Sequence, residues 1–413
     1  MLMNDDTADV IILGAGAAGL MAGIFAGRTS PDARIVLLDG AKMLGAKILV
    51  AGGGRCNVTH DVVDEQAYAG SSRNAIKKVL RRFDVPETIT FFEDLGVMLK
   101  REATGKLFPT TDSAKTVLDA LLNGVQQAGA VIRHPRRVVW ARKEDEMFVV
   151  GGDWGQMRAK RLIVATGGRS LPKSGSDGHG YSIAQSFGHT LTPQTFPALV
   201  PLMLPEAHFI RSLSGIAADI TLDVRSGTGK SLATFTDAML CTHFGISGPV
   251  ALDISRYWLT THGEDPSTRL LLNWLPGRTM AQVDTDLQTW RESTWKYLSP
   301  LPERLARTLC EAAGISPTAR ADQLPRESRR QVARTFTEMD LPIAGSRGYT
   351  YAEVTAGGIP LSDINLKTME SRLCPGLFFC GEICDVDGRI GGYNFQWAWA
   401  SGYVAGISAL QEG

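Results

Sequence analysis

The chain has no net charge to work with: 43 Lys and Arg stand against 43 Asp and Glu in 413 residues. No global field therefore favours nucleic acid or an anionic membrane surface. There is no CxxC pair among the six cysteines, Cys56, Cys241, Cys310, Cys374, Cys380 and Cys384, and their spacing fits neither a disulfide framework nor a zinc site. Cys380 falls in an apolar run, where a buried thiol is expected. Reduced thiols in a cytoplasmic protein are the simplest account. Nor is a secretion signal expected, because Asp5, Asp6 and Asp9 stand where such a signal carries Lys or Arg. The apolar stretch that follows is broken by glycines and makes a poor membrane span. No internal repeat or low-complexity linker appears. The length allows two or three domains with a large core.

What is present begins at residues 10–19, VIILGAGAAG. An apolar run enters Gly14, Gly16 and Gly19 in G-x-G-x-x-G spacing. A helical pattern follows (Leu20, Met21, Ile24, Phe25), then a second apolar run ending at Asp39, 20 residues beyond Gly19. Strand, tight turn, helix, strand and acid form a dinucleotide fingerprint in context. Gly14 permits the turn, Gly16 lets the backbone approach a pyrophosphate, and Gly19 lets the helix pack close to the sheet. The helix N-terminus offers unpaired N–H groups to the phosphates, and Asp39 can accept from a ribose diol.

Further along, 41–60 is Gly-rich, 73–96 reads as helix interrupted at Pro86, and 114–128 reads as a helix capped by Asp112 or Ser113. Short strands are expected near 131–140 and 147–150, with a turn at Gly151 and Gly152. RLIVATGG (161–168) reads as a buried parallel strand that ends at a ligand. Residues 191–275 alternate as a β-rich region, and 279–338 carry three helical patterns with solvated charged faces. The expected division is an N-terminal part of a nucleotide-binding domain at 1–190, an inserted β-rich domain at 191–275, an inserted helical domain at 276–345, and the C-terminal part of the nucleotide-binding domain at 346–413.

The fingerprint alone does not separate FAD from NAD. LIVATGG and PGLFFCGE (375–382) are similar to the second nucleotide-binding segment and the C-terminal flavin motif of two-dinucleotide-binding-domain flavoproteins. No second GxGxxG and no CxxxxC follow, which argues against a stable NAD(P) domain and against a disulfide reductase. The strings AGGGRCNVTH, GKLFP, THFGISGPVALDISR, VTAGGI and PGLFFCGEICDVDGRIGGYNFQWAWASG carry a more specific likeness. From about residue 9 onward the chain resembles the HI0933-like (BaiN/RdsA-type) FAD-binding oxidoreductases, within them the aminoacetone-oxidase-like members.

The resemblance implies an α/β fold: a two-part Rossmann-like FAD domain with an inserted β-barrel-like domain and a small helical domain. It implies FAD contacts at Gly14, Gly16, Ala17, Ala18 and Gly19 along the pyrophosphate, and at Asp39 on the adenosine ribose, where many flavoproteins place Glu. Lys47, Gly53, Gly54, Arg55 and Asn57 should lie along the pyrophosphate and flavin, Val138 at the adenine, and Thr166 and Gly167 beneath the diphosphate. Gly381, Glu382, Gly392, Asn394 and Phe395 should line the ribityl chain and flavin.

Each of several other residues carries two readings. Arg55 would neutralise pyrophosphate or a reduced flavin, or else form a surface ion pair; the surrounding glycines favour the first. Cys56 reads as a packed or flavin-adjacent thiol. His243, placed at the start of a helix, would be an acid/base group or structural, the second being commoner. Tyr393 would stack near the ring or pack the core. Trp397 and Trp399 do not share one helix face, so core packing is expected for at least one. No catalytic residue and no metal site can be assigned. The expected activity is hydride transfer between a small organic substrate and flavin, with NAD(P)H as donor. The alternatives are an oxygen-using amine or aminoketone oxidase and a flavin-dependent RNA-modifying protein. No nucleic-acid or membrane partner is expected.

Overall fold

A computed structural model describes residues 6–411, so the expectation resting on Asp5 lies outside the described residues. The chain divides into two compact units. One comprises residues up to Pro197 together with Glu353 onward, and the other runs from Ala198 to Ala352.

The first unit is built on a nine-stranded sheet. The strand β1 (Thr7–Leu13) leads into the helix α1 (Ala17–Thr29) and then β2 (Ile35–Leu38). β1 lies between β2 and the strand Gly155–Val164, parallel to both. Val131–Arg133 extends the parallel order beyond β2, and Leu377–Phe379 extends it beyond Gly155–Val164. An unbroken apolar run explains the central position of β1: Val10, Ile11, Ile12 and Leu13 are all buried, as strands covered on both faces require. Gly151 and Gly152 end the strand Met147–Gly152, and the turn to the next strand falls at Asp153–Trp154, one step later than the sequence implies. The pattern at 73–96 resolves into Arg73–Leu80 and Val85–Asp94. The second helix starts with Pro86 in its first turn and a capping box between Asp84 and Glu87. The helix Ala114–Gln127 is preceded by Ser113 in extended conformation, with no side-chain cap bond.

In the second unit, seven strands form one antiparallel sheet whose two end strands, Met339–Asp340 and Gly345–Ser346, are not joined by any ladder among the described residues. This open sheet stands where the resemblance implies an inserted β-barrel-like domain. The strand Ala217–Arg225 pairs with Ser231–Thr242 on one side and Arg269–Asn273 on the other. The alternation of ADITLDV points Ile220, Leu222 and Val224 to one buried face. The helix Pro249–Glu264 lays Val250, Ala251, Ile254 and Trp258 into the same core. So do Val283 and Leu287, Leu305 and Leu309, and Val332 and Phe336 from the helices at 280–337. The strands and helices that the sequence reading separates at 275/276 thus share one hydrophobic core and one unit. No helix among the described residues is long and apolar enough to cross a membrane.

Candidate cofactor site

The turn between β1 and α1 is set by steric necessity. Gly14 has φ +100°, and a Cβ there would meet the Ala165 carbonyl oxygen at 2.6 Å. At Gly19 a Cβ would fall 1.9 Å from the Gly14 oxygen. Gly16, the residue before α1, is different: a Cβ would meet nothing within 4 Å. The space over the helix N-terminus is therefore open. The amides of Ala17, Ala18 and Gly19 border it, and helix geometry leaves first-turn amides without an intrahelical acceptor.

Asp39, at the end of β2, is half-buried. Its carboxylate accepts from Ala15 N and Ala41 N, both at 2.7 Å, which ties the acid to the glycine turn. Segment 134–138 crosses this corner. Arg136 N donates to the Asp39 carbonyl at 2.6 Å, and His134 Nε2 lies 2.6 Å from the Ala41 carbonyl. Val138, itself buried, ends that segment.

The C-terminal motif meets the fingerprint from the other side. A Cβ on Gly381 would lie 2.7 Å from Ala18 Cβ. Gly381 N donates to Ser401 Oγ, and its carbonyl accepts from Trp397 Nε1. Glu382 is held by three donors. Lys47 Nζ reaches its Oε2 at 2.6 Å, while Ser170 Oγ and Thr355 N donate to its Oε1 at 2.7 and 3.0 Å. Lys47 also donates to Ser170 Oγ at 2.9 Å. Lys47 comes from the helix α2 (Ala46–Gly54), which leaves helical geometry at Ala51. Ser170 and Thr355 carry no local signal of this role, because the residues they join lie far apart in sequence.

Two polar atoms in the expected cofactor segments are buried without a partner: Asn57 Oδ1 and Thr166 Oγ1. An unsatisfied buried acceptor or hydroxyl costs about 1–3 kcal/mol, so both call for a ligand or water. With the open space over Gly16 and over Gly53, where a Cβ would also meet nothing within 4 Å, these orphans make the donor set fit a dinucleotide.

Other placements depart from the sequence reading. Arg55 does not stand as a free cation: Nη1 reaches Glu102 at 2.6 Å and Asp112 at 3.6 Å, and the guanidinium lies 4.0 Å from the Phe108 ring centroid. The ion pair of the alternative reading is thus formed. Gly54 is exposed beside it. The Asn394 side-chain amide exchanges two hydrogen bonds with the Gly388 backbone, at 2.8 and 2.9 Å, which leaves it one N–H and one lone pair. It sits in the first turn of the helix Tyr393–Ser408, which Gly392 precedes. Phe395 stacks on Trp399, and Tyr393 stacks on His60. Trp397 and Trp399 are both buried core residues whose indole N–H groups reach carbonyls. His243 lies exposed between the strands Ser231–Thr242 and Gly245–Ser247 and not at a helix start, since the helix begins at Pro249. Gly167, at φ +72°, abuts Ser176.

All six cysteines are free and buried. Burial pushes the Cys56 and Cys310 thiols up to about 12 and Cys241 to about 11, and raises Cys374, Cys380 and Cys384 as well. Cys56 is thus a packed thiol. A thiol whose pKa is higher folded than unfolded leaves stability intact below the unfolded value, near 9, and erodes it as pH rises through the folded value. Stability should fall between about pH 9 and 12. A disulfide reagent at about pH 8, below that window, should titrate thiols only after denaturant is added. Fast labelling of the native protein would contradict this packing.

The HI0933-like protein Rossmann domain model matches residues 8–408. A 3-dehydro-bile acid delta(4,6)-reductase of Clostridium scindens is 34% identical over 407 residues, covering 97% of this chain and 98% of that protein. A ribosomal RNA dihydrouridine synthase of Escherichia coli is 34% identical over 408 residues, covering 96% of each. Among solved structures, a 3-ketosteroid-delta4-(5alpha)-dehydrogenase from Rhodococcus jostii shares the fold, with a TM-score of 0.52, 16% identity and coverage of 100% of this chain and 99% of that one. The chain belongs to the HI0933-like family and is a Rossmann-fold, FAD-dependent oxidoreductase.

Proposed function

We propose that this protein reduces a carbon–carbon double bond conjugated to a carbonyl in a small organic substrate, with NAD(P)H as electron donor. The observation that carries the reading is the similarity, over almost the whole chain, to a relative named as a delta(4,6)-reductase. Bound FAD supplies the hydride chemistry. The balance is one NAD(P)H and one proton consumed per double bond saturated, with NAD(P)+ released. The chain's own part is to hold the dinucleotide. The first turn of α1 faces the phosphates, Asp39 the ribose, Asn57 and Thr166 the remaining polar edges, and the Lys47–Glu382–Ser170 network supports the ribityl side.

The test is an anaerobic absorbance titration of the yellow protein with NADH and NADPH, followed by addition of 4-androstene-3,17-dione. Bleaching by a nicotinamide and re-oxidation by the enone, with a saturated product, is the expected result. Bleaching by amines or aminoketones alone, with peroxide formed in air, would replace the reading with an oxidase. A second reading rests on the dihydrouridine synthase relatives, 34% and 32% identical. It places the double bond in a uracil of RNA, and loss of a dihydrouridine on deletion of the gene would select it.

A further inference from the structure

Arg347 belongs to the second unit, just after the strand Gly345–Ser346. Its guanidinium carbon lies 3.6 Å from the Tyr351 ring centroid and 4.3 Å from that of Phe244. No carboxylate forms an ion pair with it among the described residues, unlike Arg225, Arg269, Arg278 and Arg320 of the same unit. The turn that carries Tyr351 is closed by Tyr351 N on the Gly348 carbonyl, and Arg347 N is anchored on the Pro201 carbonyl. Two residues away, the Tyr349 hydroxyl is buried and has no partner. A guanidinium packed against rings keeps N–H donors in its plane, where they match the two oxygens of a carboxylate. Stacking also fixes the side chain beforehand, so little rotamer freedom is lost when a ligand arrives.

We propose that Arg347, held by Phe244 and Tyr351 and with the Tyr349 hydroxyl beside it in sequence, is a binding site for an anionic oxygen group of a small molecule. The ligand that this site takes is a small carboxylate. A phosphate of the nicotinamide donor offers the same chemistry, and the experiment separates the two.

The experiment titrates the FAD-loaded wild type, Arg347→Met and Arg347→Lys with 3-oxo-4-cholenoic acid, its methyl ester, benzoate and NADPH by calorimetry. Enone turnover is measured separately, so binding is read whether or not reduction occurs. Wild type should bind the acid roughly 10- to 100-fold more tightly than the ester, the span of one bidentate charge-assisted pair. Arg347→Met should abolish that preference and benzoate binding, and Arg347→Lys should restore part of both. Bleaching of the flavin by NADPH should be unchanged. A loss confined to NADPH affinity would assign the site to the donor's phosphate. Equal effects on acid and ester, or a wild type that binds none of the anions, would overturn the proposal. Failure of enone reduction with carboxylate binding intact would overturn the proposed reaction alone.

Discussion

Replacing Gly16 by Val should leave a folded protein that no longer retains FAD. The added Cβ meets nothing within 4 Å in the protein, and φ at this position is −84°, which every residue tolerates. The cost to the fold is about 1 kcal/mol, from a poorer residue at the helix start. The side chain fills the space that a pyrophosphate needs, so FAD affinity should fall at least ~100-fold, about 2.7 kcal/mol. Gly19→Val supplies the contrast. Its Cβ would overlap the Gly14 carbonyl oxygen at 1.9 Å, and neither backbone can yield without parting α1 from β1. That variant should be destabilised by more than about 3 kcal/mol and be recovered as aggregate or as unstable apoprotein. Fluorescence titration of FAD into apoprotein, alongside thermal unfolding, separates the two outcomes. A Gly16→Val protein with wild-type FAD affinity would show that the phosphates do not sit over this turn.

Replacing Glu382 by Leu should destabilise the apoprotein itself, before any question of cofactor. Both carboxylate oxygens are occupied within the protein, and removal strands the Lys47 ammonium, the Ser170 hydroxyl and the Thr355 amide. Lys47 keeps the Ser170 contact and partial exposure to water, which discounts the charge term. The expected loss is roughly 2–3 kcal/mol in denaturant unfolding of the apoprotein. Glu382→Gln retains an acceptor and should lose about half of that. A Glu382→Leu apoprotein as stable as wild type, with only FAD affinity reduced, would make Glu382 a flavin contact and not a brace between the chain's two ends.

Much of the cofactor site is legible in the sequence because its parts are local. A strand–turn–helix with glycines at fixed offsets and an acid at the next strand end is dictated by short-range sterics, and the structure places Gly14, Gly16, Gly19 and Asp39 around one corner. Arg55 and Asn394 have protein partners that no spacing in the sequence announces. A charged or amide side chain beside glycines is chemically suited to a ligand, and folding also brings Glu102 and Gly388 within its reach. His243 departs from the sequence reading because a turn and a helix start share the same residue preferences.

The sequence by itself determined the dinucleotide fold, the cofactor class and the family, since these rest on local backbone geometry and on long contiguous motifs. Only the tertiary structure decided which polar side chains are already satisfied, that Lys47, Ser170 and Thr355 converge on Glu382, and that Arg347 packs against two rings with no ion-pairing acid among the described residues. Those outcomes depend on which groups folding brings within bonding reach of each other, and no spacing along the chain encodes that.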